Sequence, residues 1–316
     1  MFLKGYQRDC RLLFWFGIKM DWLVFALLSP VFWGLNNVFN KFLVAKKFQG
    51  YFSLVSYLHF IDLIFAGIIY FVTPISFQFP YVVFAMAISL LPLIAFWFYT
   101  KALMVEEVSR ITPLFQFIPI LVIVLSAIFL NEILSAQKYF GIALIVVTSL
   151  LISYRKSESG NSLSSAFKLM IPFSVVLSVY TILLKYLLSY LDYWSIFFWM
   201  IIGSFGGVLF LLAFSKSRKE FVETVPIIGR RTFIVAFVSE GLYVLGTICA
   251  LIAMSLGYAS LVSALGGLQH FFVFVFMLLL SLFVPKILKE EISRNVVALK
   301  ISAIALMFVG TWLITL

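Results

Sequence analysis

Residues 53–73 read SLVSYLHFIDLIFAGIIYFVT. As a helix this stretch is roughly 30 Å long, the depth of the hydrocarbon layer of a bilayer. Asp62 stands near its midpoint, and His59 lies one helical turn before it. An ionisable carboxyl at that depth is costly, so it has either a partner or a task. His59 and Asp62, three residues apart, share one helix face and can interact locally.

The composition around this stretch sets the class. Of 316 residues, 64% are hydrophobic and 11% are charged, and the mean hydropathy is +1.13. A soluble core cannot hide so much apolar surface, which predicts an all-α polytopic membrane protein. The two cysteines, Cys10 and Cys249, form neither a disulfide framework nor a metal-ligand spacing. The net charge of +10 is spread over short loops, the pattern of membrane topology signals rather than of a nucleic-acid surface. There is no GxxxxGK[ST] loop, no HExxH and no GxSxG, so ATP-driven and hydrolytic chemistries have no motif here. No enzyme activity, cofactor or metal is expected.

Apolar runs predict ten transmembrane helices. They lie at about Trp22–Val44, Ser53–Thr73, Pro80–Met104, Ser109–Leu130, Gln137–Tyr154, Phe167–Tyr190, Tyr193–Phe214, Thr232–Leu256, Ala259–Val284 and Val296–Leu316. The stretch RKSESGNSLSS after the fifth is the one with linker composition. The expected organisation is an N-terminal extension at 1–19, a first repeat at 20–156, a linker at 157–166 and a second repeat at 167–316. Five crossings per half make the two repeats inverted relative to each other, the architecture of secondary transporters with a midplane site. The halves echo each other: NNVFNKFLV (36–44) aligns with YTILLKYLL (180–188), and NEILS (131–135) with KEEIS (289–293).

The stretch Ala102–Ser153 resembles the EamA repeat of the drug/metabolite transporter superfamily. The matching features are Ala102-Leu103, Pro119, then Glu132, Ser135 and Gly141. Trp33 and Gly34, followed by Asn residues and Lys41, add the family's pattern in the first helix. The second half matches more loosely, with Leu299 where the first half has Gly141. The resemblance covers about Met20–Leu316. It implies a secondary transporter, an exporter or exchanger of a small polar metabolite in the cytoplasmic membrane. A lipid or lipid-linked sugar flippase on the same fold is the alternative. No motif names the substrate or an oligomeric state.

Loop charges assign an orientation. Lys46, Lys47, Arg110, Arg155, Lys156, Lys168, Lys216, Arg218, Lys219, Arg230, Arg231, Lys286, Lys289 and Arg294 fall on one side. Counted from Met20, the other side holds Lys138 alone. The positive-inside rule then puts both termini outside, whereas the resemblance implies cytoplasmic termini. Met1–Lys19 is too short and too charged to span, and it lacks a signal-peptide cleavage pattern. Met20, opening MDWLVFALLSP, is the expected start of translation.

Transport needs polar groups at depth, and protons are a candidate coupling ion. Glu240 in the eighth helix and Gln269 and His270 in the ninth, beside Gly266-Gly267, are the leading candidates, with Asp62 and His59 behind them. The resemblance implies that the path draws chiefly on helices 1, 3, 4, 6, 8 and 9. Asn36 and Asn37 in helix 1, and Gln116 between Pro113 and Pro119 in helix 4, complete the set. The bland readings stand beside these. Asn and Gln in membrane helices commonly tie helices together, and Asp62 with His59 is equally a structural pair. Glu132 and Glu290 at loop edges are expected to fix helix ends.

Overall fold

The computed structural model describes residues 22–46, 51–105, 111–153, 165–283, 305–306, 308–314 and 316. Among them every regular element is helical: α1 (Trp22–Lys46), α2 (Tyr51–Val72), α3 (Tyr81–Ile88), α4 (Leu90–Val105), a 3-10 turn (Thr112–Gln116), α5 (Phe117–Phe129) and α6 (Ala136–Ser153). There follow α7 (Ser165–Leu187), α8 (Tyr193–Ala213), α9 (Ser215–Thr224), a 3-10 turn (Val225–Ile227), α10 (Arg230–Leu256), α11 (Ala259–Gly266) and α12 (Gln269–Phe283). Among the described residues, seven helical segments are long and apolar enough to cross a membrane, and two shorter apolar helices accompany them. The protein is an integral, multi-pass membrane protein.

Its helices are arranged inside-out relative to a soluble protein. On α2, Ser53, Ser56 and Asp62 are buried, while Phe60, Ile64, Ile68 and Phe71 are exposed. With lipid outside, apolar side chains gain nothing by facing inward, and polar ones find partners only there. α10 is the most buried of the spanning segments, and α1 packs along it.

Close approach of helices depends on small residues at two motif positions. A side chain on Gly34 would meet the Phe272 Cβ at 2.9 Å, so α1 can lie on α12 only without one. A Cβ on Gly141 would meet the Gly310 carbonyl at 2.8 Å, and the converse holds at Gly310. This mutual contact seats α6 against the helical stretch 308–314.

The structure differs from the ten uninterrupted helices in four places. The third is broken at Ser89 into α3 and α4; Pro92 has no N–H to give the Ile88 carbonyl. The fourth opens as a 3-10 turn over Thr112–Gln116 before α5 begins. Pro119 likewise has no N–H for the Phe115 carbonyl, so the regular ladder cannot run through. The ninth is split into α11 and α12, with Gly267 and Leu268 donating to carbonyls three residues back, the tighter 3-10 pattern. Between the seventh and eighth lies α9, a polar helix that hydropathy does not flag. Its Lys219 and Glu223 pair at 3.9 Å in the open, and its Phe221 stacks on Phe60 with centroids 5.5 Å apart. Met1–Lys19, Glu290, most of the 157–166 linker and residues 296–304 of the tenth helix lie outside the described residues; Ser165 and Ala166 already belong to α7.

Candidate functional site

The opening stretch finds its answer on α10. Asp62 on α2 and Glu240 on α10 are electrostatic neighbours, and each residue is no more than 6% exposed. On the same two helices Ile61 and Ala236 are buried in one apolar cluster, and Phe65 stacks on Phe237 at 5.0 Å.

His59 is an outer neighbour of this pair. Its Nδ1 lies 4.0 Å from an Asp62 oxygen, beyond hydrogen-bond range, and 2.9 Å from the Val55 carbonyl. A carbonyl only accepts, so Nδ1 carries hydrogen and Nε2 is the basic nitrogen. Asp62 thus has His59 at ion-pair distance on its own helix and Glu240 as an electrostatic neighbour on α10. Tyr243 lies within electrostatic reach of both carboxyls and beside Thr247. Thr247 Oγ1 in turn accepts from Trp33 Nε1 at 3.4 Å.

Next to the acid pair, amides tie α1 to α10. Asn36 Nδ2 donates to the Ser239 carbonyl at 2.8 Å and to Ser239 Oγ at 3.0 Å. Asn40 Nδ2 donates to Asn36 Oδ1 at 3.1 Å, and Ser239 Oγ donates to Asn40 Oδ1 at 3.0 Å. Asn37, one residue on, points outward and is exposed.

The broken fourth and ninth helices supply a second polar centre. Gln116 ends the 3-10 turn and His270 lies in the first turn of α12; the Gln116 amide is 3.4 Å from His270 Nδ1. Nδ1 also faces the Gly267 carbonyl at 3.3 Å, which fixes a hydrogen on it. Gln116 is 2% exposed, and its Oε1 has no partner. Turning the amide half a rotation gives Oε1 the Nδ1–H and strands the NH2 group instead. In either arrangement one polar atom of the Gln116 amide is left without a partner among the described residues. Phe115 stands edge-on to His270 at 6.0 Å, with Phe173 and Tyr99 around it. Gln269 is half-buried at the head of α12, and Pro119 is buried just beyond Gln116.

Glu132 and Lys185 hold the joint between α10 and α11. Glu132 accepts from the Ala259 N–H at 2.9 Å and from the Ser260 N–H and Oγ at 3.2 and 3.0 Å. Lys185 Nζ donates to the carbonyls of Met254 and Gly257 at 2.6 and 2.8 Å. A carboxylate thus sits on the N-terminus of α11 and an ammonium on the C-terminus of α10, each where the helix dipole favours it. Sequence reasoning did not single out Ser239, Tyr243, Thr247 or this role of Lys185. For Tyr243 and Thr247 the available signal was their spacing from Glu240, three and seven residues along one helix face.

An apolar groove of about 290 Å³ opens between α5 and α7, lined by Leu125, Phe129, Leu130, Val179, Ile182, Leu183 and Tyr186. No basic side chain is among them.

The sequence of residues 20–154 matches the family described as EamA-like transporter family, whose members are membrane transporters rather than enzymes. No curated protein matches the chain in sequence. A solved crystal structure aligns over 92% of this chain and 95% of its own with a TM-score of 0.66, at 16% identity. At that identity the likeness shows a shared fold and nothing finer.

Proposed function

We propose, for a chain whose residues 20–154 belong to the EamA-like transporter family, that it moves a small polar metabolite across the cytoplasmic membrane by alternating access. It works as a secondary exporter or exchanger. Two inverted five-helix repeats, 20–156 and 167–316, rock about a site at Gln116 and His270, with the basic loops on the cytoplasmic side.

One observation carries this reading. Two interrupted spans, the fourth and ninth of the proposed ten, have breaks that meet at the Gln116–His270 contact, and a further break, at Ser89, lies in the third. Paired discontinuous helices of this kind mark substrate sites in transporters built from repeats. The contact offers an unpartnered amide atom, the imidazole Nε2 and ring faces. That set suits a solute with both hydrogen-bonding groups and a flat or apolar part. The flippase reading would want a basic headgroup site at a lateral opening. The lining of the groove between α5 and α7 holds no basic side chain, which favours a soluble metabolite.

The test is a thermal-shift screen of purified protein against amino acids, nucleotides, sugars and cationic metabolites, followed by flux of any hit into proteoliposomes. A ligand at about a hundred times its Kd adds roughly 2.7 kcal/mol to stability. The expected result is a saturable shift and flux, both lost in Gln116→Ala and His270→Ala. Flux that survives both substitutions unchanged rejects the site. Vesicle lipid scrambling without any soluble hit rejects the metabolite reading.

A further inference from the structure

We propose that α9 and the start of α10 bind the phosphate headgroups of anionic phospholipids through Arg218, Arg230 and Arg231. The inference concerns the surrounding bilayer and does not depend on which solute the chain moves.

The neighbours of α9 set its depth. α8 ends at Ala213, the backbone turns at Phe214 in an extended conformation, and α9 runs back against α2. Its Phe221 stacks on Phe60 at 5.5 Å, and Phe60 meets Phe205 edge-on at 5.1 Å. Both partner rings belong to segments apolar enough to span. Phe60 lies nine residues after the first of α2, and Phe205 eight before the last of α8, each about 12–14 Å along its helix. A helix standing out in water does not reach rings so far inside. α9 therefore lies across the spans at headgroup depth, where amphipathic helices settle.

The helical step divides α9 into three faces. Ser217, Phe221 and Thr224 face the protein; Ser217 and Thr224 are buried and Phe221 is half-buried. Lys219 and Glu223, four residues apart, pair with each other in the open. Arg218 and Val222 form the third face, with Val225 in the turn beyond, and all three are exposed. At the other end of the segment, Arg230 and Arg231 are exposed beside the exposed Phe233 and Ile234. Water alone accounts for Lys219 and Glu223, but not for apolar residues on the arginines' own faces. A phospholipid accounts for both: its chains cover the apolar side chains, and its phosphate takes the guanidinium above them.

The charge balance asks for an anion from outside the chain. Between Phe214 and Ile234 there are five basic residues, Lys216, Arg218, Lys219, Arg230 and Arg231, against Glu220 and Glu223. The two acids fall about 140–160° round the helix from Arg218. Among the described residues, none of the three arginines has a carboxylate in ion-pair range. A phosphate diester matches the two-pronged guanidinium in shape and charge.

Native mass spectrometry of the purified protein with dioleoyl-phosphatidylglycerol or dioleoyl-phosphatidylcholine measures the binding. Each basic side chain at an anionic surface contributes roughly fivefold in affinity, so three contribute up to about a hundredfold. Phosphatidylglycerol is expected to bind more tightly than phosphatidylcholine. Combining Arg218→Gln, Arg230→Gln and Arg231→Gln should weaken it by at least about tenfold. The same three positions changed to Lys keep the charges and should retain most of the preference, which shows that the loss is not misfolding. Combining Arg155→Gln, Lys156→Gln and Lys168→Gln removes equal charge elsewhere and should leave the affinity nearly unchanged. An equal fall in that variant, or no preference for the anionic lipid, overturns the proposal.

A fluorophore on Val222→Cys, in a chain without other cysteines, reads what covers this face. Quenching by phosphatidylglycerol brominated in its acyl chains is the expected result. No quenching, whether water or a second copy of the chain lies there instead, rejects the lipid assignment.

Discussion

Removing Glu132 tests the joint on which the second half of the chain depends. Glu132→Ala deletes three accepted hydrogen bonds, two from the backbone of α11 and one from the Ser260 hydroxyl. Hydrogen bonds between helices inside membranes are worth roughly 0.6 kcal/mol each on average, so the three come to about 2 kcal/mol. The lost charge adds to this, because a carboxylate on a partly buried helix N-terminus contributes up to about 2 kcal/mol. The total is about 4 kcal/mol. In domains of 150–250 residues each kcal/mol moves Tm by roughly 2–4 °C; at the low end for this longer chain, the expected fall is about 8 °C. Fluorescence-detected thermal unfolding in detergent measures it, with size-exclusion profiles confirming that the variant is folded at the start. Glu132→Gln keeps one acceptor oxygen but loses the charge and one or two of the bonds, so its fall should be roughly two-thirds to four-fifths as large. A drop below about 2 °C in the alanine variant would refute the assignment of Glu132 as the cap of α11.

Lys185→Met removes two bonds to the carbonyls of Met254 and Gly257 but also the cost of burying an ammonium, so a loss of about 1–2 kcal/mol is expected. Combined with Glu132→Ala, it should be clearly less than additive in thermal unfolding, because both groups hold one turn. Gly141→Leu pushes a side chain into the Gly310 carbonyl and Ile314; overpacking of this kind costs about 1–3 kcal/mol, and Tm of the purified variant should fall while Gly67→Ala, which meets no neighbour, leaves it unchanged. In the amide cluster, Ser239→Ala leaves the Asn36 bond to the Ser239 carbonyl in place and should cost about 1 kcal/mol. Asn36→Ala breaks that bond and two others and should cost visibly more in the same assay; equal costs would show that the hydroxyl, not the amide, organises the cluster.

Among the described residues, the positions of the seven long spans were legible in the sequence because hydropathy over about twenty residues reports what lipid requires. Breaks within spans were legible only by their residues: Pro113, Pro119 and the Gly266-Gly267 pair mark them, but composition does not say that the chain resumes as a separate helix. Pro92 carried the same signal for the break at Ser89, inside a run apolar enough to read as continuous. α9 was missed for the opposite reason, since a polar helix of ten residues looks like a loop to any hydropathy window.

The site was legible one helix at a time. A buried acid announces its cost from its own surroundings, but its partner depends on how two helices are rotated against each other. Asn36 and Ser239 are 203 residues apart, and no local pattern links them. So Asp62 points locally to His59, which the structure keeps within 4.0 Å, but nothing local points to Glu240, its neighbour on α10. The same limit hid the relation between the two polar centres. Glu240 lies on α10 and His270 on α12, and the chain between them bends at two places, Gly257–Tyr258 and Gly267–Leu268. Lys185 and Glu132 clamp the first bend from both sides, whereas the second lies against the Gln116–His270 contact itself. Five hydrogen bonds thus hold the first bend, while the second lies where the interrupted helices meet at Gln116 and His270.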